Sequence, residues 1–233
     1  MAFLLLIFFS MNLLQAKPSF SDSPCAEIHD PHECFKEAER FFWGIGRNED
    51  KEAAISLYMA ASEMGSTFAK ARLGSFYLLG WGVEKNFATS VKYFENALEK
   101  QEDFRTSSWE PVILSALGLI YQQGKNEYKN EKKSFEYFLR AAKLRYGPAQ
   151  IKVAAAYVKG IGTQPDGLEA YAWLRAAFDG GYTSEAIRKA IQEIENQMNG
   201  EVRALAENLA KSRVENYRAI PIPDIWRQPI ELT

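Results

Sequence analysis

Cysteine and histidine are nearly missing from this 233-residue chain. Cys25, His29, His32 and Cys34 are the whole supply, and they share one ten-residue stretch. Any metal centre or catalytic dyad built on either residue type must come from there. No Gly-x-Ser-x-Gly elbow is present, and no serine has lysine at the third position after it, so two common acyl-transfer signatures are absent. No glycine-rich loop with a lysine stands ready to cradle phosphate. The formal net charge is −2 with both signs interspersed, which argues against a broad nucleic-acid-binding surface. No internal run approaches the roughly 18 apolar residues of a membrane-spanning helix. Acidic residues are plentiful, but their helical spacing reads as solvated faces.

What the chain does have is one phrase, written four times. Its clearest copy is Leu73-Gly74-Ser75-Phe76-Tyr77-Leu78-Leu79-Gly80-Trp81-Gly82-Val83. Others run Leu117 to Gly124 and Val153 to Gly162, and a worn first copy runs Ala38 to Gly46. In each, a small residue precedes an aromatic by three positions and a glycine follows it by three. Gly44, Gly80, Gly124 and Gly160 are therefore separated by 36, 44 and 36 residues. Equal outer intervals with one longer interval between them indicate a repeat carrying a single insertion. Each copy has a companion, such as Ser90 to Leu98 and Ser134 to Ala142, with apolar and small residues at positions 0, 4 and 7. That is one face of a helix. Each unit thus reads as a helix, a glycine turn and a second antiparallel helix. A lone helix pair has a single contact face, so neighbouring units must supply the rest of the buried surface.

The phrase and its companion resemble the Sel1-like repeat family, relatives of the tetratricopeptide solenoids, over residues 35 to 181. The resemblance implies an all-α, right-handed α-α superhelix of about four helix pairs, placed at about 35–65, 66–101, 111–146 and 147–181. Departures from the pattern are Gln101 in place of a terminal glycine, Gly124 without a following Gly-x-Val, and Glu37-Ala38 for the first Leu-Gly pair. The insertion falls at 101–110, with Pro111 starting the next helix. Two further amphipathic stretches within 182–219 read as capping helices, because a stack of units leaves an apolar end.

The two ends of the chain are different in kind. Residues 1–16 resemble a secretory signal peptide with cleavage near Ala16, an uncleaved anchor being the alternative. Residues 17–24 read as a linker, and 25–34 as an N-terminal cap. For an exported chain, Cys25 and Cys34 are expected to form a disulfide. A Cys-His-His-Cys metal site is the competing reading, disfavoured because four ligands within ten residues would have to wrap one tetrahedron. Residues 220–233, with Pro221, Pro223 and Pro229, cannot be helical throughout. They either fold back along the solenoid or offer an extended segment to a partner.

No catalytic, cofactor or metal residues are assigned. Tandem helix pairs usually bind proteins or peptides in their groove or at insertions. The candidate contacts are Arg72, Phe76, Ile120 and Lys152 on first helices, Phe104 and Trp109 in the insertion, and Trp226 in the tail. The resemblance implies a secreted or periplasmic, non-enzymatic scaffold for protein–protein contacts in the cell envelope, as regulator, adaptor or assembly factor. One version is an auxiliary factor resembling the MotX protein of sodium-driven flagellar motors. The alternative is a penicillin-binding, β-lactamase or peptidoglycan-acting enzyme like some cysteine-rich relatives. No nucleic acid is expected as partner, and membrane contact only through an uncleaved N-terminal segment.

Overall fold

A computed structural model describes residues 25, 27–99, 109–124 and 128–215. The signal and linker readings, Phe104, most of the insertion, Trp226 and the proline-rich tail lie outside the described residues. What is described is an all-α solenoid of ten helices in five pairs. The first pair is α1 (Pro31–Trp43) with α2 (Lys51–Glu63), the second α3 (Thr67–Leu79) with α4 (Phe87–Glu99). The third is α5 (Trp109–Gln123) with α6 (Glu131–Lys143), the fourth α7 (Gly147–Lys159) with α8 (Gly167–Asp179). Helices α9 (Glu185–Glu195) and α10 (Gly200–Glu215) follow, α10 packing mainly on α8.

The four intra-pair turns, 44–50, 80–86, 124–130 and 160–166, are seven residues each. Their sameness has a local cause at both ends. Gly44, Gly80 and Gly160 end their helices in the left-handed conformation, each returning its N–H to the carbonyl four residues back. Asp50, Asn130 and Asp166 open the second helices by accepting N–H groups of the first turn. The turn is then tied across itself. The backbone N–H of Asp50, Asn86, Asn130 and Asp166 donates to the carbonyl of Phe41, Tyr77, Tyr121 and Tyr157 respectively, at 2.8–3.0 Å. The aromatic of the repeat phrase therefore marks the residue whose carbonyl closes the turn.

The eight-residue excess between the second and third glycines divides in two. The α4–α5 connection is nine residues (100–108), against three (64–66 and 144–146) at the other unit junctions, and α5 has 15 residues where α3 and α7 have 13. Helix α5 thus starts at Trp109, two residues before Pro111. Trp109 and Glu110, the last two residues of the expected 101–110 insertion, belong to α5.

Within each pair the close approach follows from small residues. A Cβ at Gly74 would stand 2.6 Å from the Phe94 ring, and one at Gly118 would stand 2.8 Å from Phe138. Beside them, Ser90 Oγ donates to the Gly74 carbonyl at 2.7 Å and Ser134 Oγ to the Gly118 carbonyl at 2.8 Å. The fourth unit carries Ala154, Ala170 and Leu174 at the same register, and the first carries Ala38, Ala54 and Tyr58. Between units, the second glycine of each Gly-x-Gly turn does the equivalent work. Gly82 (φ 66°) abuts Ile55 of α2, and Gly162 (φ 71°) abuts Glu131 and Phe135 of α6. Gly46 holds the same backbone conformation, with no described atom within 4 Å of a Cβ placed there. The core is spread along the array in three clusters, as stacking requires.

Cys25 and Cys34 are disulfide-bonded with Cα atoms 5.5 Å apart, both buried in the first cluster. The bond takes both sulfurs out of the competing metal reading. Among the described residues, no helix is long and apolar enough to cross a membrane.

Candidate functional site: the edge between units

Glu39 is the hub of the first junction. Arg72 of α3, only 3 % exposed, meets its carboxylate with two prongs, Nε to Oε1 and Nη2 to Oε2, both at 2.8 Å. Tyr58 of α2 donates to Oε1 at 2.6 Å, and the Trp43 indole donates to Oε2 at 2.9 Å. Three helices thereby share one carboxylate, a charge-assisted network with planar fork geometry. Burial, and next the Glu39 charge, push the Tyr58 hydroxyl well above its ordinary range. It stays a donor at any physiological pH.

Trp109 reaches from the third unit across this network. Its ring lies edge-on to Phe35 and Phe68 at 6.2 and 5.7 Å, with the Arg72 guanidinium 4.9 Å from its centroid. Of the sequence-derived candidates, Arg72 and Trp109 are thus joined in one cluster, packed on the first unit. Phe76 and Ile120 are fully buried and act as core beneath the surface. Lys152 is exposed on α7.

The same junction opens outward into a notch. Phe42 and Trp43 end α1, Lys51 starts α2, and Gly80, Trp81 and Gly82 form the next turn, enclosing a cavity of ≈ 400 Å³. Phe42 supplies the floor, with Trp43 edge-on at 4.8 Å and Trp81 nearly parallel at 6.5 Å. Trp43 is 44 % exposed and Trp81 50 %, and Ile45 on the adjoining turn is 58 % exposed. Large apolar side chains gathered on one edge point to a contact surface. Sequence reasoning left Trp43 and Trp81 outside the candidate set. The available signal was a tryptophan directly beside a turn glycine, where the repeat phrase gives it nothing to pack against.

A second notch, of ≈ 150 Å³, lies between the third and fourth units, lined among others by Gln122, Glu131, Lys152, Lys159 and Ile161. Adding 80 residues to Phe42, Lys51, Arg72 and Trp81 gives Gln122, Glu131, Lys152 and Ile161. Three of those positions, 42/122, 51/131 and 81/161, line both notches, which repeat one another on the same edge. The first is lined by Trp43 and Trp81, while the second mixes Gln122, Glu131, Lys152 and Lys159 with Phe135, Phe138, Ala155 and Ala156. Among the described residues, no group of three or more His, Cys, Asp or Glu side chains could hold a metal ion.

A family model described as Sel1 repeat matches residues 34–66, 67–101, 114–146 and 147–182. The chain is 25% identical over 134 residues to "Chitin synthase regulatory factor 1" of Schizosaccharomyces pombe, a match covering 56% of this chain and 28% of that protein. Among solved structures it is similar to a Sel1 repeat protein from Oxalobacter formigenes (TM-score 0.59, 24% identity, 72% of this chain and 46% of that one). It is also similar to c5321, described as a protective antigen of uropathogenic Escherichia coli with an SLR fold (TM-score 0.51, 20% identity, 85% and 48%). The chain spans less than half the length of each of these proteins, and the two structural likenesses bear on the fold alone.

Proposed function

We propose that this chain, which belongs to the Sel1 repeat family, is an exported, non-catalytic scaffold that holds a protein partner in the cell envelope along the notched edge of its solenoid. The observation that carries this reading is the set of exposed indoles. Trp43 and Trp81 flank a cavity large enough for a side chain, on an array whose other tryptophans with described exposure are buried or half-buried. Exposed tryptophans around a pocket are the residue type that carries binding energy in protein contacts. Export is supported by the apolar run before Ala16 and by the disulfide, which persists in oxidising compartments. The fission-yeast relative is named as a regulatory factor of another protein, which agrees in kind with a scaffold; its target is not carried over.

The test is a cross-linking pulldown from native envelopes with the intact chain, the Trp43→Ala/Trp81→Ala variant, and forms lacking 101–110 or 220–233. A partner recovered by the intact chain and lost with the tryptophans supports the edge. Loss only with a deletion moves the contact to that segment. Hydrolysis of nitrocefin or labelling by a fluorescent penicillin would replace the scaffold with the enzymatic alternative.

A further inference from the structure

The two notches differ in one telling respect. At the first junction the cation Arg72, buried and not part of the notch lining, is covered by Glu39, Tyr58 and Trp109. At the second, the repeat-equivalent cation is Lys152, but Leu119 stands where Glu39 stood and Phe138 where Tyr58 stood. The carboxylate and the hydroxyl are both gone while the positive charge remains. Lys152 and Lys159 are exposed, and neither makes an ion pair among the described residues. Seven residues apart on α7, the two lie on one face at a separation of about 10 Å along the axis. Ala155 and Ala156 between them leave the floor low enough for a backbone to approach.

We propose that the partner binds as one extended segment, seating a bulky apolar or aromatic side chain between Trp43 and Trp81 and placing carboxylates on Lys152 and Lys159, so that it supplies the acid that Glu39 supplies internally at the first junction. This deepens the scaffold reading and rests on it. Repeat symmetry puts the notches two units apart, on the order of 20 Å for helices packed at 8–10 Å. An extended chain covers that in about six residues at ~3.3 Å each. Lys152 and Lys159 outnumber the one carboxylate of the second notch, Glu131, and this net positive charge chooses an acidic segment over a basic one, while the apolar notch fixes its register. Exposed lysines in solvent contribute modestly alone, so the aromatic notch supplies most of the affinity and the lysines the selectivity.

A random dodecapeptide library displayed on phage and selected on the purified full chain tests this. The expected consensus is an aromatic or large aliphatic residue with Asp or Glu about five to seven positions away. By fluorescence anisotropy, enriched peptides should lose at least about 10-fold in affinity with Trp81→Ala, and at least about 10-fold with Lys152→Glu/Lys159→Glu. Exchanging the peptide's acids for lysines should restore binding to the charge-reversed variant and abolish it to the natural chain. All the substituted side chains are exposed, and circular dichroism checks that the helices persist. Enriched peptides without acids, equal binding to the charge-reversed variant, or no enrichment would each overturn the inference. If a native partner cross-links at the tryptophan edge while selected peptides ignore the lysines, the acidic segment fails and the scaffold stands. If no partner is recovered at that edge, the scaffold reading itself falls.

Discussion

Glu39 and Arg72, 33 residues apart in the chain, meet in a two-pronged ion pair that ties the first helix pair to the second. Removing one side alone leaves a charge with its solvation gone and its partner missing. Arg72→Ala or Glu39→Ala should each cost about 3 kcal/mol of unfolding free energy. Replacing the network as a whole should cost far less than the sum. The variant Glu39→Leu/Tyr58→Phe/Arg72→Met, which imitates Leu119 and Phe138 at the third-to-fourth junction, is expected within about 1.5 kcal/mol of the natural chain. Urea unfolding of the singles and the triple measures both.

Gly118 lies under the Phe138 ring, so Gly118→Ala forces the ring or the helix to move. We expect a loss of about 2 kcal/mol from overpacking. The fourth unit shows the way back, since it pairs Ala154 with Leu174. Gly118→Ala/Phe138→Leu should recover at least half of that loss, and a thermal melt of the two variants reads it directly.

Arg145 is the one non-glycine residue with positive φ (61°) among the described residues, at the unit junction where Gly65 (φ 103°) and Gly181 (φ 100°) stand. An L side chain there costs roughly 1–2 kcal/mol, against which glycine loses roughly 0.5–1 kcal/mol of backbone entropy. Arg145→Gly should therefore stabilise the chain by about 0.5–1 kcal/mol in urea titration. A destabilised variant would mean that the Arg145 side chain holds the junction by contacts of its own.

Burial, followed by the neighbouring Tyr182, pushes the Tyr146 hydroxyl up to about 12. Burial, followed by Glu195, brings Tyr171 to about 12 as well. These groups keep their protons in the folded chain after the unfolded chain has lost them at its ordinary value near 10. Their contribution is whole below pH 10 and is lost as pH rises from there through about 12. The urea midpoint should fall across that window, and Tyr146→Phe should flatten the fall. A midpoint unchanged up to pH 11.5 would contradict the burial of these hydroxyls.

Much of this was legible from residues alone, because a repeat states its own geometry. The glycine spacing located the turns and the companion stripes located the second helices, whose starts Asp50, Asn130 and Asp166 cap in the structure. The site was less legible. Arg72 reads as a surface cation on a first helix, since its partner Glu39 is a full unit away. Phe76 and Ile120 stand on first helices, where the repeat phrase does not say which face is exposed, and both are buried in clusters shared with the adjoining unit. Trp109 was read as part of a loop, but it caps α5 and packs on Phe35 and Phe68. Trp43 and Trp81 stand outside the candidate contacts for the opposite reason: a residue beside a turn carries no periodicity to say which way it faces.

The most direct measurement is photo-cross-linking in native envelopes from a benzoylphenylalanine placed at position 81, with adducts identified by mass spectrometry. One dominant partner adduct is expected, reduced at least about fivefold by Trp43→Ala and by Lys152→Glu/Lys159→Glu. No adduct at position 81, or an adduct whose yield ignores both variants, would show that this edge of the solenoid is not where the partner is held.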